Sequence, residues 1–269
     1  MTGWSTAFCE TNGIQIHYTR TGGSKPLIIM LHGLIANGAC WTNQALALEG
    51  EYDVIMPDAR GHGKSSVPDS GYRYEDHAND VVGLIKALEL NAPILLGHSM
   101  GGMTAAVVAS HNPKLLRGLI LADPPFISLK YQREVRDSDV ADKHRRTLNK
   151  SLNEVVAEAR IRHPERSLDI IEQNARAQLQ TSMSAFDVLT PPYPDYMQLI
   201  TAIEVPSLLV IGDAGVVSLS VAAELQRLNP RFQVEQIPKA GHGLHFDRPG
   251  KFAAVVKSFL SSINNEIRL

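Results

Sequence analysis

Residues 93–113 read PILLGHSMGGMTAAVVASHNP: an apolar run, a glycine-flanked serine, then an alanine-rich stretch that stops at a proline. PILL has the unbroken hydrophobicity of a strand covered on both faces. The alanines that follow favour a helix, and the proline ends it. Between the two, GHSMG (97–101) matches G-x-S-x-G. A serine on a tight strand-to-helix turn needs glycine on both sides, because neighbouring Cβ atoms would collide at the bend. Gly97, Gly101 and Gly102 meet that need. Ser99 is therefore expected at the carboxyl edge of a sheet, beside the first turn of a helix, where partial positive charge favours an oxyanion. A chance glycine-serine turn is the competing reading, and the flanking strand and helix count against it.

Outward from this stretch, further apolar runs predict strands: LIIML (27–31), DVIM (53–56), LRGLILA (116–122), SLLVIG (207–212) and FQVEQI (232–237). IQIHYT (14–19) alternates, as an antiparallel strand with one solvated face does. YEDHANDVVGLIKALEL (74–90) places Val81, Leu84, Ile85 and Leu88 on one helical face. Strands alternating with helices imply an α/β fold, a mostly parallel sheet with helices on both faces. Residues 125–200 break the rhythm, with amphipathic helical patterns and no buried strand. PPYP (191–194) marks the way back. The expected organisation is a core of 1–124 and 201–269 with a helical cap, 125–200, inserted between two core strands.

The length of 269 residues suits one large domain with an insertion. With a formal net charge of −2, no global field recommends nucleic acid or an anionic membrane as partner. Cys9 and Cys40 form neither a disulfide framework nor a zinc pattern. No metal or organic cofactor is called for. The first residues, MTGWSTAFCE, contain no readable secretory signal, and no apolar run is long enough to span a bilayer. These features lead to the expectation of a cytoplasmic protein with a small-molecule substrate. The oligomeric state is not legible.

Three more stretches join GHSMG in a fixed order: LHGLIANGACW (31–41), PDARGHGKS (57–65) and AGHGLHFDRP (240–249). Together they resemble the α/β-hydrolase superfamily along nearly the whole chain. The resemblance implies an eight-stranded sheet, a loop for the oxyanion after the third strand and a histidine loop near the C-terminus. It makes Ser99 the nucleophile, with the backbone amides of Leu34 and Met100 as oxyanion donors, fixed in place before reaction. His32 is expected to brace the loop. It also makes His242 the general base. His245, three residues on, is the rival and is read as a packing residue in the wall of the substrate pocket. Asp247, followed by Arg248 and Pro249, reads as a cap on the final helix.

A histidine base needs a carboxylate to orient its ring and stabilise the imidazolium. Within the superfamily it usually comes three residues after the glycine of SLLVIG, where Gly215 stands. Asp213 lies two places early. The other source known in the superfamily is the end of the preceding core strand, where LILADPP (119–125) offers Asp123. Asp123 is favoured, because a two-residue offset along the usual loop changes the direction of the side chain. A cap on the DPP turn is the structural alternative for Asp123.

The strand-end aspartate with DPP resembles the N-formylmaleamate deformylase-like hydrolases, which implies water attack on a small amide or formamide. Carboxylesterases and carbon–carbon bond hydrolases share the core and form the alternative. Cofactor-free oxygenases of this fold also keep a strand-end aspartate, but the full GHSMGG turn favours hydrolysis. A receptor that retains the three residues is the alternative of another class. KYQREVRDSDVADKHRRTLNK (130–150) supplies the substrate hint, with seven Lys/Arg against four Asp/Glu. Arg133, Arg136, Arg145 and Arg146 are the candidates to pair with a substrate carboxylate. The interspersed acids favour a solvated helix face instead.

Overall fold

Runs of Ile, Leu and Val too apolar to leave either face in water form the centre of a single sheet. In the computed structural model, which describes residues 3–266, there are eight strands. They are β1 (Ser5–Thr11), β2 (Ile14–Arg20), β3 (Leu27–Leu31), β4 (Asp53–Pro57), β5 (Ile94–His98), β6 (Gly118–Ala122), β7 (Ser207–Ala214) and β8 (Phe232–Gly241). Their order across the sheet is β1-β2-β4-β3-β5-β6-β7-β8. β2 is antiparallel to both β1 and β4, and every pairing from β4 through β8 is parallel.

Alternate residues of each central strand enter opposite cores. Ile29, Leu31, Leu95, Leu119, Leu121 and Leu209 face a layer that includes the helices α2 (Tyr74–Ala87) and α3 (Met100–His111). Ile28, Met30, Ile94, Leu96, Ile120 and Val210 face the opposite layer, built by α1 (Thr42–Leu48) and α11 (Pro249–Glu266). The sheet is thereby covered on both faces, as its continuous apolar runs require. β1 is the strand the apolar runs do not announce, because only Cys9 and Thr11 of it are buried. Its signal lies in the turn: Asn12 and Gly13 both have positive φ, 49° and 76°, the requirement of a two-residue hairpin.

Between β6 and β7 the chain forms α4 (Leu129–Asp137), α5 (Val140–Thr147), α6 (Leu152–Arg162), α7 (Leu168–Leu179) and a 3₁₀ segment, Met183–Leu189. α8 (Tyr196–Ala202) follows; it straddles residue 200 and packs on α3 and on α9 (Leu219–Leu228) of the core. A short α10 (Leu244–Asp247) stands between β8 and α11. The carboxyl ends of β3, β5, β6, β7 and β8 all point to the side on which the inserted helices lie, and that is where the site forms. Among the described residues, no helix is long and apolar enough to cross a membrane.

Candidate active site

Ser99 lies between β5 and α3 with φ 52° and ψ −119°, a conformation that few side chains adopt without strain. Its surroundings hold it there. The amide of Ser99 donates to Ala122 O of β6 at 3.0 Å. A Cβ on Gly97 would meet Gly101 O at 2.2 Å, and one on Gly101 would meet Leu31 O at 2.4 Å. The sharp turn therefore follows from the glycines, and it lifts the hydroxyl off the edge of the sheet.

The nearest base is His242, one residue beyond β8. Its Nε2 lies 2.9 Å from Ser99 Oγ, and its Nδ1 lies 2.6 Å from Oδ2 of Asp123. Asp123 directly follows β6, is fully buried and has φ 44°. Three backbone contacts support its carboxylate: Val216 N–H reaches Oδ1 at 3.0 Å and Oδ2 at 2.8 Å, and Val217 N–H donates to Oδ1 at 2.9 Å. Gly215 leaves room for that carboxylate. A Cβ there would stand 2.7 Å from Asp123 Oδ1, so this loop contributes backbone donors and leaves its side-chain space to the neighbouring strand. Asp213 points elsewhere. It is exposed and accepts from Lys239 N–H at 2.8 Å and Ala240 N–H at 3.1 Å, bonds that hold its carboxyl below the ordinary range.

Such a constellation allows the hydroxyl proton to pass to imidazole while a desolvated carboxylate stabilises the imidazolium. Met100 opens α3, so its amide has no acceptor within the helix. Leu34 and Met100 line the same cavity as Ser99 and His242. The loop carrying Leu34 is braced by His32, whose Nδ1–H donates to Gly33 O at 2.8 Å and whose Nε2 accepts from Ala59 N–H at 2.9 Å. Burial keeps that imidazole neutral by lowering its pKa. Asp58 fixes the loop from below, accepting from Gly38 N–H at 2.8 Å and Lys64 N–H at 2.9 Å.

The cavity over Ser99 measures about 820 Å³. Its walls are aliphatic and aromatic, with Ile127, Val135, Val188, Tyr74, Phe126 and Tyr196 among them, and among the described residues no Asp, Glu, Lys or Arg lines it. This corrects the candidacy of the cap arginines for pairing with a substrate carboxylate and agrees with the solvated helix face that the interspersed acids favour. Arg133, Arg136, Arg145 and Arg146 are exposed, and none lines the cavity; Arg145 pairs with Asp142 on its own helix. The helices turn their apolar faces to the cavity and their charges to water.

His245 is a second correction. It is 3% exposed and lies beneath the histidine loop, stacked on Trp41 at 4.5 Å and beside Phe246 at 3.9 Å, away from the cavity. Neither ring nitrogen has a hydrogen-bond partner among the described residues. Burial, with the nearby His242 and Arg166, pushes its pKa down to about 3. Asp247 is a third. Its Oδ2 accepts from Gly241 N–H at 2.9 Å and its Oδ1 pairs with Arg166 at 2.6 Å. His98 bears on the base as well: its Nε2–H donates to the backbone oxygen of His242 at 2.8 Å. Its only signal is its place inside the G-x-S-x-G turn. Among the described residues, no group of three or more His, Cys, Asp or Glu could hold a metal ion.

Residues 26–249 match the family model described as alpha/beta hydrolase fold. The N-formylmaleamate deformylase of Pseudomonas putida is 30% identical over 256 residues, covering 93% of this chain and 94% of its own. The sn-1-specific diacylglycerol lipase ABHD11 of Mus musculus is 29% identical over 252 residues, covering 88% and 81%. The 2-(acetamidomethylene)succinate hydrolase of Mesorhizobium japonicum is 28% identical over 263 residues, covering 90% and 91%. A crystal structure of E-2-(acetamidomethylene)succinate hydrolase superposes with a TM-score of 0.84 at 24% identity, covering 96% of this chain and 99% of that one.

Proposed function

The chain belongs to the α/β-hydrolase family, and we propose that it is a serine hydrolase cleaving a carboxylic ester whose bound portion is apolar. Ser99 attacks the ester carbonyl as His242 takes its proton, and Asp123 stabilises the imidazolium. The oxyanion is held by the amides of Leu34 and Met100. His242 then protonates the departing alcohol, and water repeats the sequence on the acyl-serine to release the acid. The reading is carried by the cavity of about 820 Å³, which opens on Ser99 and His242 and, among the described residues, has no side chain of Asp, Glu, Lys or Arg in its wall. A carboxylate bound there would meet no Lys or Arg in the described wall, and desolvating it unpaired is costly.

A second reading is cleavage of a C–N bond in a small acidic amide. It is favoured by likeness to the deformylase and the succinate hydrolase, each matched over nine-tenths of this chain. Turnover separates the two. Across a series of esters from acetyl to hexanoyl, kcat/KM is expected to rise by about fourfold for each buried methylene, the equivalent of about 0.8 kcal/mol. An acidic amide is expected to be the poorer substrate than its methyl ester. If the free acid is preferred and the ester series is flat, the ester reading fails and the amide reading replaces it. Ser99→Ala is expected to abolish turnover, and labelling by a serine-directed phosphonate, in either case.

A further inference from the structure

The backbone on both sides of the His242 side chain is tethered from outside its own loop. On one side the tether comes from the core: His98 holds the carbonyl of His242. On the other it comes from the inserted helices. Arg166 lies between α6 and α7, and its Nη2 pairs with Asp247 Oδ1 at 2.6 Å. The other oxygen of that carboxylate accepts the N–H of Gly241, immediately before His242, at 2.9 Å. The guanidinium also stands over the ring of Phe246, 5.4 Å from its centre. A Cβ on Gly243 would lie 3.2 Å from Arg166 Nη2, so the loop is thin where the arginine crosses it.

The two charged side chains are 13% and 18% exposed. At that depth a charge pair is weakly screened, and loss of one partner leaves the other without compensation. Among the described residues, this is the only ion pair between 125–200 and the rest of the chain. We propose that Arg166 is a positioning residue for His242: acting through Asp247 and the Gly241 amide, it makes the cap part of what holds the general base in line with Ser99. The proposal rests on the hydrolase reading above. It gives the cap a role distinct from lining the cavity, because Arg166 does not touch that space.

The test is steady-state turnover of a short apolar ester by the full chain, with Ser99→Ala and His242→Ala as reference variants. Arg166→Met is expected to lower kcat by about 10- to 100-fold, the effect of a misplacement of about 1 Å in a reacting group, while KM changes by less than about threefold. Arg166→Lys keeps a cation within reach of Asp247 and is expected to recover most of the rate. Asp247→Asn is expected to share the loss, and adding Arg166→Met to it to cost little more, because both remove one tether. If Arg166→Met does not fold, Arg166→Lys and Asp247→Asn decide the matter through the same split of kcat from KM. A kcat within about twofold of the parent in Arg166→Met or Asp247→Asn, while Ser99→Ala and His242→Ala are inactive, overturns the tether and leaves the hydrolase reading intact. Full activity of Ser99→Ala overturns the hydrolase reading itself.

Discussion

A methyl group on Gly215 would stand 2.7 Å from one oxygen of Asp123 and 2.8 Å from the other. The two positions are therefore complementary: the aspartate occupies the space a side chain at 215 would need, and the amides of Val216 and Val217 meet it there. Gly215→Ala is expected to displace the carboxylate at an overpacking cost of about 1–3 kcal/mol and to lower kcat by at least about tenfold, with the fold retained by circular dichroism. An unchanged kcat would mean that the carboxylate yields without losing the imidazole. This pairing was legible in the sequence as a glycine where an acid is usual and an acid where a strand ends. Asp247 was not: Asp-Arg-Pro before a helix has the form of a cap, and local sequence cannot reveal an arginine 81 residues away. Arg166 gave no signal at all, since it lies in a loop with no periodic pattern.

The short helix α10 and the strand end before it place two histidines in opposed settings. His242 keeps one face open, with 42% of its side chain exposed, whereas His245 is sealed among Trp41, Phe246 and Phe252. On α2, His77 is likewise buried, and its pKa is also pushed down to about 3, burial being the main cause and Arg60 the next. The unfolded chain takes up these protons near the ordinary histidine pKa of about 6.5, and the folded chain only near 3. Their contribution to stability is thus complete above pH 6.5 and declines as pH falls toward 3, by about 1.4 kcal/mol per pH unit for each histidine. Urea denaturation at pH 7, 6 and 5 is expected to show this decline, and His245→Phe, which keeps the aromatic stack, is expected to make it shallower. Equal slopes in parent and variant would mean that His245 takes up its proton in the folded state as readily as in the unfolded one. At this scale the buried strands were legible because both their faces are apolar. The edge strand β1 has most of its residues in water, and only its Asn-Gly turn announces it.

For the whole molecule, the site arises where the inserted helices close over the carboxyl edge of the sheet. The core side of this closure could be read from sequence, because strand ends and glycine turns fix where Ser99, Asp123 and His242 stand. The cap side could not. Charge counts on α4 and α5 say that arginines are present, but the face each helix turns inward depends on packing against residues distant in sequence, and here the inward face is apolar. Exposed Arg133, Arg136, Arg145 and Arg146 accordingly follow the solvated reading, and the cavity follows the aliphatic and aromatic residues between them. His242 has its carboxylate partner at the end of β6, which makes Asp123 and not Asp213 the expected catalytic acid. The decisive comparison is kcat of Asp123→Asn beside that of Asp213→Asn. Asp123→Asn is expected to lose kcat on the order of 10⁴-fold, because the amide favours the wrong histidine tautomer, as in the Ser-His-Asp proteases. Asp213→Asn is expected to stay within about twofold of the parent, as a surface substitution that keeps an acceptor oxygen for the Lys239 and Ala240 amides. An active Asp123→Asn beside an inactive Asp213→Asn would place the catalytic acid at Asp213 instead.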